Sequence, residues 1–440
     1  MTEPGGGADR DLLVVLHPER PLVQVGDVAG PSELAQLTGP EPPPWSVLLQ
    51  VARRVTPAGA WPLGPHRKVA GFRLHILHAR QPSLSGRGRW HEDPDPSWPV
   101  AVQEVVAAVL DEDAGRTPTP ALRASWMRRG WWREATDWVD ARLAEAGRYR
   151  TGDLEPKEHW GVSAVARVPA NGGALWLKAV APRFRREPPV LAVLASGLPG
   201  RVPAVFAAQD GPGGARFLLE DAGPVPDEVA EGDRVRLAGL LADLQVKTLD
   251  VLPRLRAAGC ADRSPAALCA GLARVAEDGF ELDLLTTTDR VNLRNQIPRL
   301  TQQLLGLAEA TLPEVLVHGD FHPWNVARPP AWSLAEAVVI DWTDAAIGPA
   351  GIDLGTLLPR SADDQAQAAV LRSYASVWAD ELGTSLDAAE AAVTATRPAA
   401  HVLQALAYDE ILRQVEPSAR WPLSGVMAGH LRALAETAGS

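Results

Sequence analysis

Apolar positions change period along the chain. Short runs of β character, Leu12–Leu16, Val47–Ala52 and Val69–Leu77, precede a helical pattern over Val100–Leu110. They predict a small α+β domain over residues 1–115, with Pro- and Gly-rich loops at 39–44 and 82–97. A linker over 116–125 follows, introduced by Ala114-Gly115-Arg116-Thr117-Pro118-Thr119-Pro120. Residues 126–146 predict an amphipathic helix with Trp131, Ala135, Trp138, Val139 and Leu143 on one side, an aromatic face suited to packing on the following lobe. Strand patterns return at Trp160–Val168 and Ala174–Val180, joined by the hairpin turn Asn171-Gly172-Gly173, and at Arg216–Asp221. From 226 to 440 the period is mostly helical, as in Val235–Leu244 and Ile297–Leu305.

Two segments in that last part carry chemistry. Val317-His318-Gly319-Asp320-Phe321-His322-Pro323-Trp324-Asn325-Val326 sets an asparagine five positions after an aspartate, and Val338-Val339-Ile340-Asp341-Trp342 ends an apolar run on a second aspartate. A transferred phosphoryl group is negative on every face, so its enzyme needs oxygen ligands for Mg²⁺ and an acceptor for the incoming hydroxyl's proton. Singly, Asp320 is an ordinary turn residue, Asn325 a loop cap and Asp341 a strand end. Their joint spacing is a phosphoryl-transfer signature. Within the loop, His322 has two readings, substrate contact or a local hydrogen bond to the backbone, of which the second is expected; Trp342 is expected to pack under the metal site.

Such a site needs a lysine reaching the nucleotide phosphates from an upstream strand. The chain has only Lys68, Lys157, Lys178 and Lys247 among 43 basic residues, and Lys178 sits inside the apolar run Ala174–Val180, 142 positions before Asp320. A snorkelling edge-strand lysine is the bland alternative.

These motifs resemble the aminoglycoside phosphotransferase and choline kinase-like family, whose signature is H-G-D-x-x-x-x-N followed by I-D-W/F. The resemblance covers about two thirds of the chain, from about 125 onward. It implies an α+β, protein-kinase-like two-lobe fold: a β-rich nucleotide lobe over 126–225 and a helical catalytic and substrate lobe over 226–440, with the 1–115 domain additional. It further implies Asp320 as catalytic base, Asn325 and Asp341 as Mg²⁺ ligands, His318 as loop support, and ATP as the phosphoryl donor. Gly348-Pro349-Ala350-Gly351-Ile352-Asp353-Leu354 looks like the family's segment after the metal aspartate. There Asp353 anchors the loop or simply caps a helix, structural in either case. Trp160–Val168 resembles the strand-turn-strand that covers the nucleotide, but with a single glycine, Gly161; Ser163 is the candidate hydroxyl in place of a Gly-rich loop. Glu187, nine positions after Lys178 and followed by Pro188 and Pro189, is the candidate to orient the lysine from a helix start. Late helices hold the acceptor in the family, which makes Tyr408, Asp409 and Glu410 candidates for substrate contact.

Length and composition fit this picture. At 440 residues and 46% hydrophobic, the chain can bury two or three cores, and a net charge of −11 argues against nucleic acid as a partner. No apolar run reaches membrane-spanning length, and Met1-Thr2-Glu3-Pro4-Gly5 lacks a cationic, hydrophobic leader, so the cytoplasm is expected. Cys260 and Cys269 suggest neither disulfide nor zinc and are expected in the core. Region 1–115 carries no chemical signature. His75 and His78 lie an odd number apart on a strand and face opposite ways, and Gln103-Glu104 with Asp111-Glu112-Asp113 lacks the repeats of a diphosphate hydrolase helix. The reading is therefore an ATP- and Mg²⁺-dependent kinase of a small-molecule hydroxyl, of aminoglycoside, amino-alcohol or sugar type. A nucleotide-binding regulator using its N-terminal region to bind partners is the alternative.

Overall fold

The computed structural model describes residues 10–25, 44–64, 67–69, 71–85, 89–230, 232–309, 312–358 and 364–436. The expected loop at 39–43, the tip of the next at 86–88, and the start of the chain lie outside the described residues. The chain forms two compact units: one of residues 1–182, 209–218 and 414–422, the other of 183–208, 219–413 and 423–440.

The first unit opens with β1 (Arg10–Leu16), β2 (Val23–Val25), α1 (Trp45–Val55), β3 (Ala60–Pro62), β4 (Arg67–Val69), β5 (Phe72–Ala79), β6 (Arg89–His91) and α2 (Val100–Asp113). Strand order is β3-β5-β1-β2-β6, with β4 also on β5, and β1 runs parallel to β5 from Arg10↔Phe72 to Leu16↔His78. Alternation along these two strands feeds two cores. Leu13, Val15, Leu77 and Ala79 pack with Trp45, Leu48 and Ala52 of α1, while Val14, Leu16, Leu74 and Ile76 pack with Val102, Val106 and Leu110 of α2. The Val47–Ala52 run, expected as a strand, is thus helical. Its buried positions, Trp45, Leu48, Val51, Ala52 and Val55, recur every three to four residues, a period visible only when the flanks are included.

His75 and His78 do face opposite sides of β5, and both are buried. His75 Nε2 lies 2.6 Å from Asp11 Oδ1, and Arg73 donates two 3.0 Å hydrogen bonds to the same carboxylate. Burial opposes ionisation of Asp11, but the hydrogen bonds from His75 and Arg73 outweigh it and hold the carboxyl below its ordinary range.

Next come α3 (Trp131–Glu145), β7 (Glu155–His159), β8 (Ser163–Val168) and β9 (Leu175–Val180). Helix α3 packs on the N-terminal sheet. Trp132 stacks on Trp61 at 5.3 Å and donates from Nε1 to the Pro62 carbonyl at 3.1 Å. The same indole lies 5.7 Å from His159 of β7, so α3 joins the two sheets. The second sheet has the order β10-β11-β9-β8-β7, where β10 is Val205–Gly211 and β11 Gly214–Glu220. The predicted turn at Asn171–Gly173 is present, with φ 76° at Gly172 and 116° at Gly173.

The second unit is mainly helical: α4 (Glu187–Gly197), α5 (Asp233–Lys247), α6 (Leu252–Ala257), α7 (Pro265–Asp278), α8 (Thr287–Gly306), α9 (Leu354–Leu357), α10 (Asp364–Leu382), α11 (Leu386–Thr394), α12 (Arg397–Leu412) and α13 (Val426–Glu436). Among them run the short strands β12 (Ala261–Asp262), β13 (Glu314–Val317), β14 (Val326–Ala327), β15 (Val338–Val339) and β16 (Ala346–Pro349). No described helix is long and apolar enough to cross a membrane. Cys260 is buried and Cys269 partly so.

Truncating Trp132 to alanine removes a fully buried indole from the junction of the two sheets. It should cost about 3–5 kcal/mol in urea denaturation of the first unit; a loss under about 1 kcal/mol would mean the sheets are not held by this ring.

Candidate active site

Short strand pairs fix the ends of the segments that carry Asp320, Asn325 and Asp341. β13 pairs antiparallel with β16, Val317 opposite Ala346, and delivers His318, Gly319 and Asp320 at its end. β14 pairs with β15 through Val326↔Val339 and Ala327↔Val338, so Asn325 and Asp341 leave this ribbon at the same end. The Ile340 amide donates to the Asn325 carbonyl at 2.9 Å, extending the register by one bond toward the two side chains.

The loop between β13 and β14 is held from below. Asp353, at the start of α9, makes no cap to its own helix. Its carboxylate accepts instead from the backbone amides of His318 and Gly319, both at 2.8 Å. Burial drives the Asp353 pKa up to about 6, against the lowering by those two amides. His318 Nε2 lies 2.9 Å from the Ile340 carbonyl, which can only accept, so Nε2 carries the proton and Nδ1 accepts from the Asp320 amide at 3.3 Å. Burial lowers the His318 pKa, which fits this neutral tautomer. Its ring lies 4.7 Å from that of Trp342, which is buried as expected.

Gly319 is required twice over. Its φ is 88°, and a Cβ there would stand 2.7 Å from Asp344 Cβ and 2.8 Å from the Asp344 carbonyl oxygen. From α12, Gln404 Nε2 donates to the Gly319 carbonyl at 2.7 Å. The result is a rigid loop from which the Asp320 side chain emerges about half exposed, its Oδ2 3.4 Å from His322 Nε2. His322 thus meets the Asp320 carboxylate rather than the backbone hydrogen bond expected of it.

Asn325 donates from Nδ2 to the Asp320 carbonyl at 3.0 Å, which turns its amide oxygen away from the loop backbone. Asp341 is the only non-glycine among the described residues with positive φ, at 62°, a conformation that costs a non-glycine residue about 1–2 kcal/mol. Thr343 Oγ1 contacts Asp341 Oδ1 and lies 3.0 Å from Glu187 Oε2; its single hydroxyl proton can serve only one of these acceptors at a time. Glu187 is fully buried at the start of α4. Lys178 is in the first unit, buried on β9 opposite Val165, and Ser163 is buried at the start of β8, its Oγ accepting from Trp160 Nε1 at 3.0 Å.

The late-helix candidates divide. Asp409 is fully buried and accepts from Arg274 Nη1 at 2.6 Å, the Phe280 amide at 2.8 Å and Arg413 Nε at 3.0 Å, so its carboxylate is consumed in joining helices. Glu410 is a quarter exposed and pairs with Arg183 and, at 2.9 Å, with Arg263. Tyr408 is partly buried, its ring 6.4 Å from His430. Three residues absent from the sequence reading take part: Gln404, Thr343 and the partly buried Asp344. Burial raises the Asp344 carboxyl, Arg183 and Arg186 oppose this, and Asp341 and Asp320 add to it. Gln404 had a signal, a polar residue inside the apolar run of α12, but Asp409 and Glu410 share it.

The family model described as the phosphotransferase enzyme family matches residues 148–390, more than half of the chain, and the chain belongs to that family. It is a small-molecule kinase of α+β, protein-kinase-like fold, preceded by an additional N-terminal α+β region. Similar solved structures include the GDP complex of wild-type aminoglycoside 2'-phosphotransferase-IIIa, 17% identical over 68% of this chain and 98% of its own, with a TM-score of 0.48. A macrolide 2'-phosphotransferase from Brachybacterium faecium is 23% identical over 69% and 97%, TM-score 0.43. A choline/ethanolamine kinase family protein from Mesorhizobium loti is 18% identical over 69% and 95%, TM-score 0.45. No curated protein matches the chain.

Two outcomes follow from this geometry. Gly319→Ala combines an unfavourable φ with a backbone clash under the catalytic loop, and should lower kcat by on the order of 10²-fold or more in an ADP-release assay; near-normal turnover would mean the loop tolerates displacement. Asp353 has its folded pKa, about 6, above its ordinary value of 3.8. The folded state therefore binds the extra proton, and this contribution to stability is present below about pH 4 and lost as pH rises through about 6. Urea denaturation between pH 4 and 7 should show that decline in the wild type and its absence in Asp353→Asn; parallel curves would contradict it.

Proposed function

We propose that this chain transfers the γ-phosphoryl group of ATP to a hydroxyl of a small molecule, with Asp320 taking up the hydroxyl proton or aligning the nucleophile. One observation supports this most: an anchored loop presents the half-exposed Asp320 carboxylate, while Asp353, His318 and Gln404 around it are spent on backbone groups. Asp320 is therefore the group left to meet an incoming hydroxyl, and His322 stands beside it to steady the carboxylate.

Asn325 and Asp341 would hold Mg²⁺. Their donor set fits: an amide oxygen and a carboxylate, both hard, with no group of three or more His, Cys, Asp or Glu ligands clustered among the described residues. Magnesium in such sites takes one or two protein oxygens and completes its shell with phosphate and water. When bound, the ion neutralises charge on the phosphates. Lys178 is assigned to the α/β-phosphates, Glu187 to orienting it and Ser163 to a phosphate oxygen. Tyr408 and Glu410 remain the groups assigned to the acceptor. The pairing of Glu410 with two arginines favours a hydroxylated acceptor that is not strongly polycationic. A reaction drawing on ATP suits the cytoplasm.

Asp320→Ala should lower turnover about 10²–10⁴-fold while Mg-ATP still stabilises the protein thermally. Asp341→Ala should weaken Mg-ATP affinity as well. Full turnover in the first variant would remove Asp320 from the mechanism; thermal stabilisation of the wild type by Mg-ATP without ADP release across hydroxylated amines, sugars and antibiotics would favour a regulator.

A further inference from the structure

The turn between β7 and β8, Trp160-Gly161-Val162, lies in the segment whose sequence resembles the strand-turn-strand that covers the nucleotide. Here it is neither flexible in composition nor free on its outer side. The Trp160 amide closes it onto the Ser163 carbonyl at 3.0 Å, and Trp126 Nε1 donates to the Trp160 carbonyl at 2.7 Å. Residues 414–422, from near the end of the chain, belong to the same compact unit. An ideal Cβ on Gly161 would stand 2.6 Å from Val415 Cγ1 and 3.2 Å from Ala419 Cβ. The φ of Gly161 is not in the left-handed region, so only this close approach of packed hydrocarbon calls for glycine there.

That segment is itself tethered to the N-terminal region. Arg123 donates from Nε and Nη2 to Glu416, and from Nη1 and Nη2 to Glu112 of α2 at 2.5 and 2.9 Å. Side-chain exposures of 10% for Arg123 and 7% for Glu416 make this a desolvated bridge, where losing one partner strands the other. Burial opposes ionisation of Glu416, but the hydrogen bonds from Arg123 and Ser418 prevail and keep its carboxyl below the ordinary range. On β4, Lys68 Nζ sits 4.8 Å from the Trp421 ring centroid, a second tie between the region and the segment.

We propose that residues 414–422 form a strap that sets the position of the 160–163 turn for nucleotide, with Val415 and Glu416 as positioning residues and Arg123 fastening the strap to residues 1–115. This rests on the reading of the turn as the nucleotide cover. The N-terminal region then has a task inside the phosphotransferase: it replaces loop flexibility with preorganisation, which lowers the ordering cost of nucleotide binding.

The test pairs steric and ionic variants of the full chain. Gly161→Ala should raise KM for ATP roughly tenfold with kcat within about threefold, and Gly161→Ala/Val415→Ala, which clears the clash, should restore KM to within about threefold of the wild type. Arg123→Ala should raise KM similarly and speed amide hydrogen exchange at 160–163, whereas Arg123→Lys should recover part of both. Unchanged exchange in Arg123→Ala overturns the strap whatever the activity. Faster exchange with unchanged KM, in an enzyme that Asp320→Ala inactivates, overturns its role in nucleotide binding. A lower KM or higher kcat in Arg123→Ala overturns the proposal by making the contact inhibitory. Absence of nucleotide binding to the wild type would instead sink the kinase reading and the strap's nucleotide role together.

Discussion

A single buried carboxylate governs the catalytic loop. Asp353 offers two oxygens to two consecutive amides, His318 and Gly319, at equal 2.8 Å distances. Consecutive amides point the same way only where the chain turns sharply, which Gly319 permits with φ 88°. Without an acceptor beneath them, two buried N–H groups would each cost about 1–3 kcal/mol and the turn would open. The interior therefore tolerates an acid whose pKa it raises to about 6, because that acid holds the loop on which Asp320 stands.

Other supports converge on the same few atoms. Tyr374 contacts Gln245, and Gln245 donates to the Leu316 carbonyl at 3.0 Å, steadying β13 just before the loop. Gln404 holds the Gly319 carbonyl, and the neutral His318 spans from the Asp320 amide to the Ile340 carbonyl. Asp341 follows in a left-handed conformation, strain that is stored beside the proposed metal position. Such overdetermination is what positioning chemistry demands, since displacement of about 1 Å costs on the order of a hundredfold in rate.

The sequence disclosed some of these residues and hid others for physical reasons. Asp320, Asn325 and Asp341 were legible because their spacing in the chain is short and each borders an apolar strand, so local order carries the geometry. Asp353 was visible as a residue, but its two roles, cap or anchor, are separated only by 35 residues of intervening fold. Gln404 and Asp409 looked alike as polar residues in an apolar helix. One faces the loop backbone and the other Arg274, Arg413 and the Phe280 amide, a difference set by tertiary rotation of α12. The Val47–Ala52 segment misled because a short apolar run fits either period. In sequence Gly161 is merely the single glycine of a segment that lacks a glycine-rich loop; its absent Cβ makes room for residues more than 250 positions away.

The central claim is that these supports serve transfer of a phosphoryl group to a hydroxyl. It is tested most directly by following the γ-phosphate of Mg-ATP by phosphorus NMR with purified protein and a panel of hydroxylated small molecules. The account predicts a new phosphomonoester resonance that grows in step with ADP and only when one of the hydroxyl compounds is present. An ATP spectrum left unchanged by every acceptor, or ADP formed with inorganic phosphate alone, would contradict it.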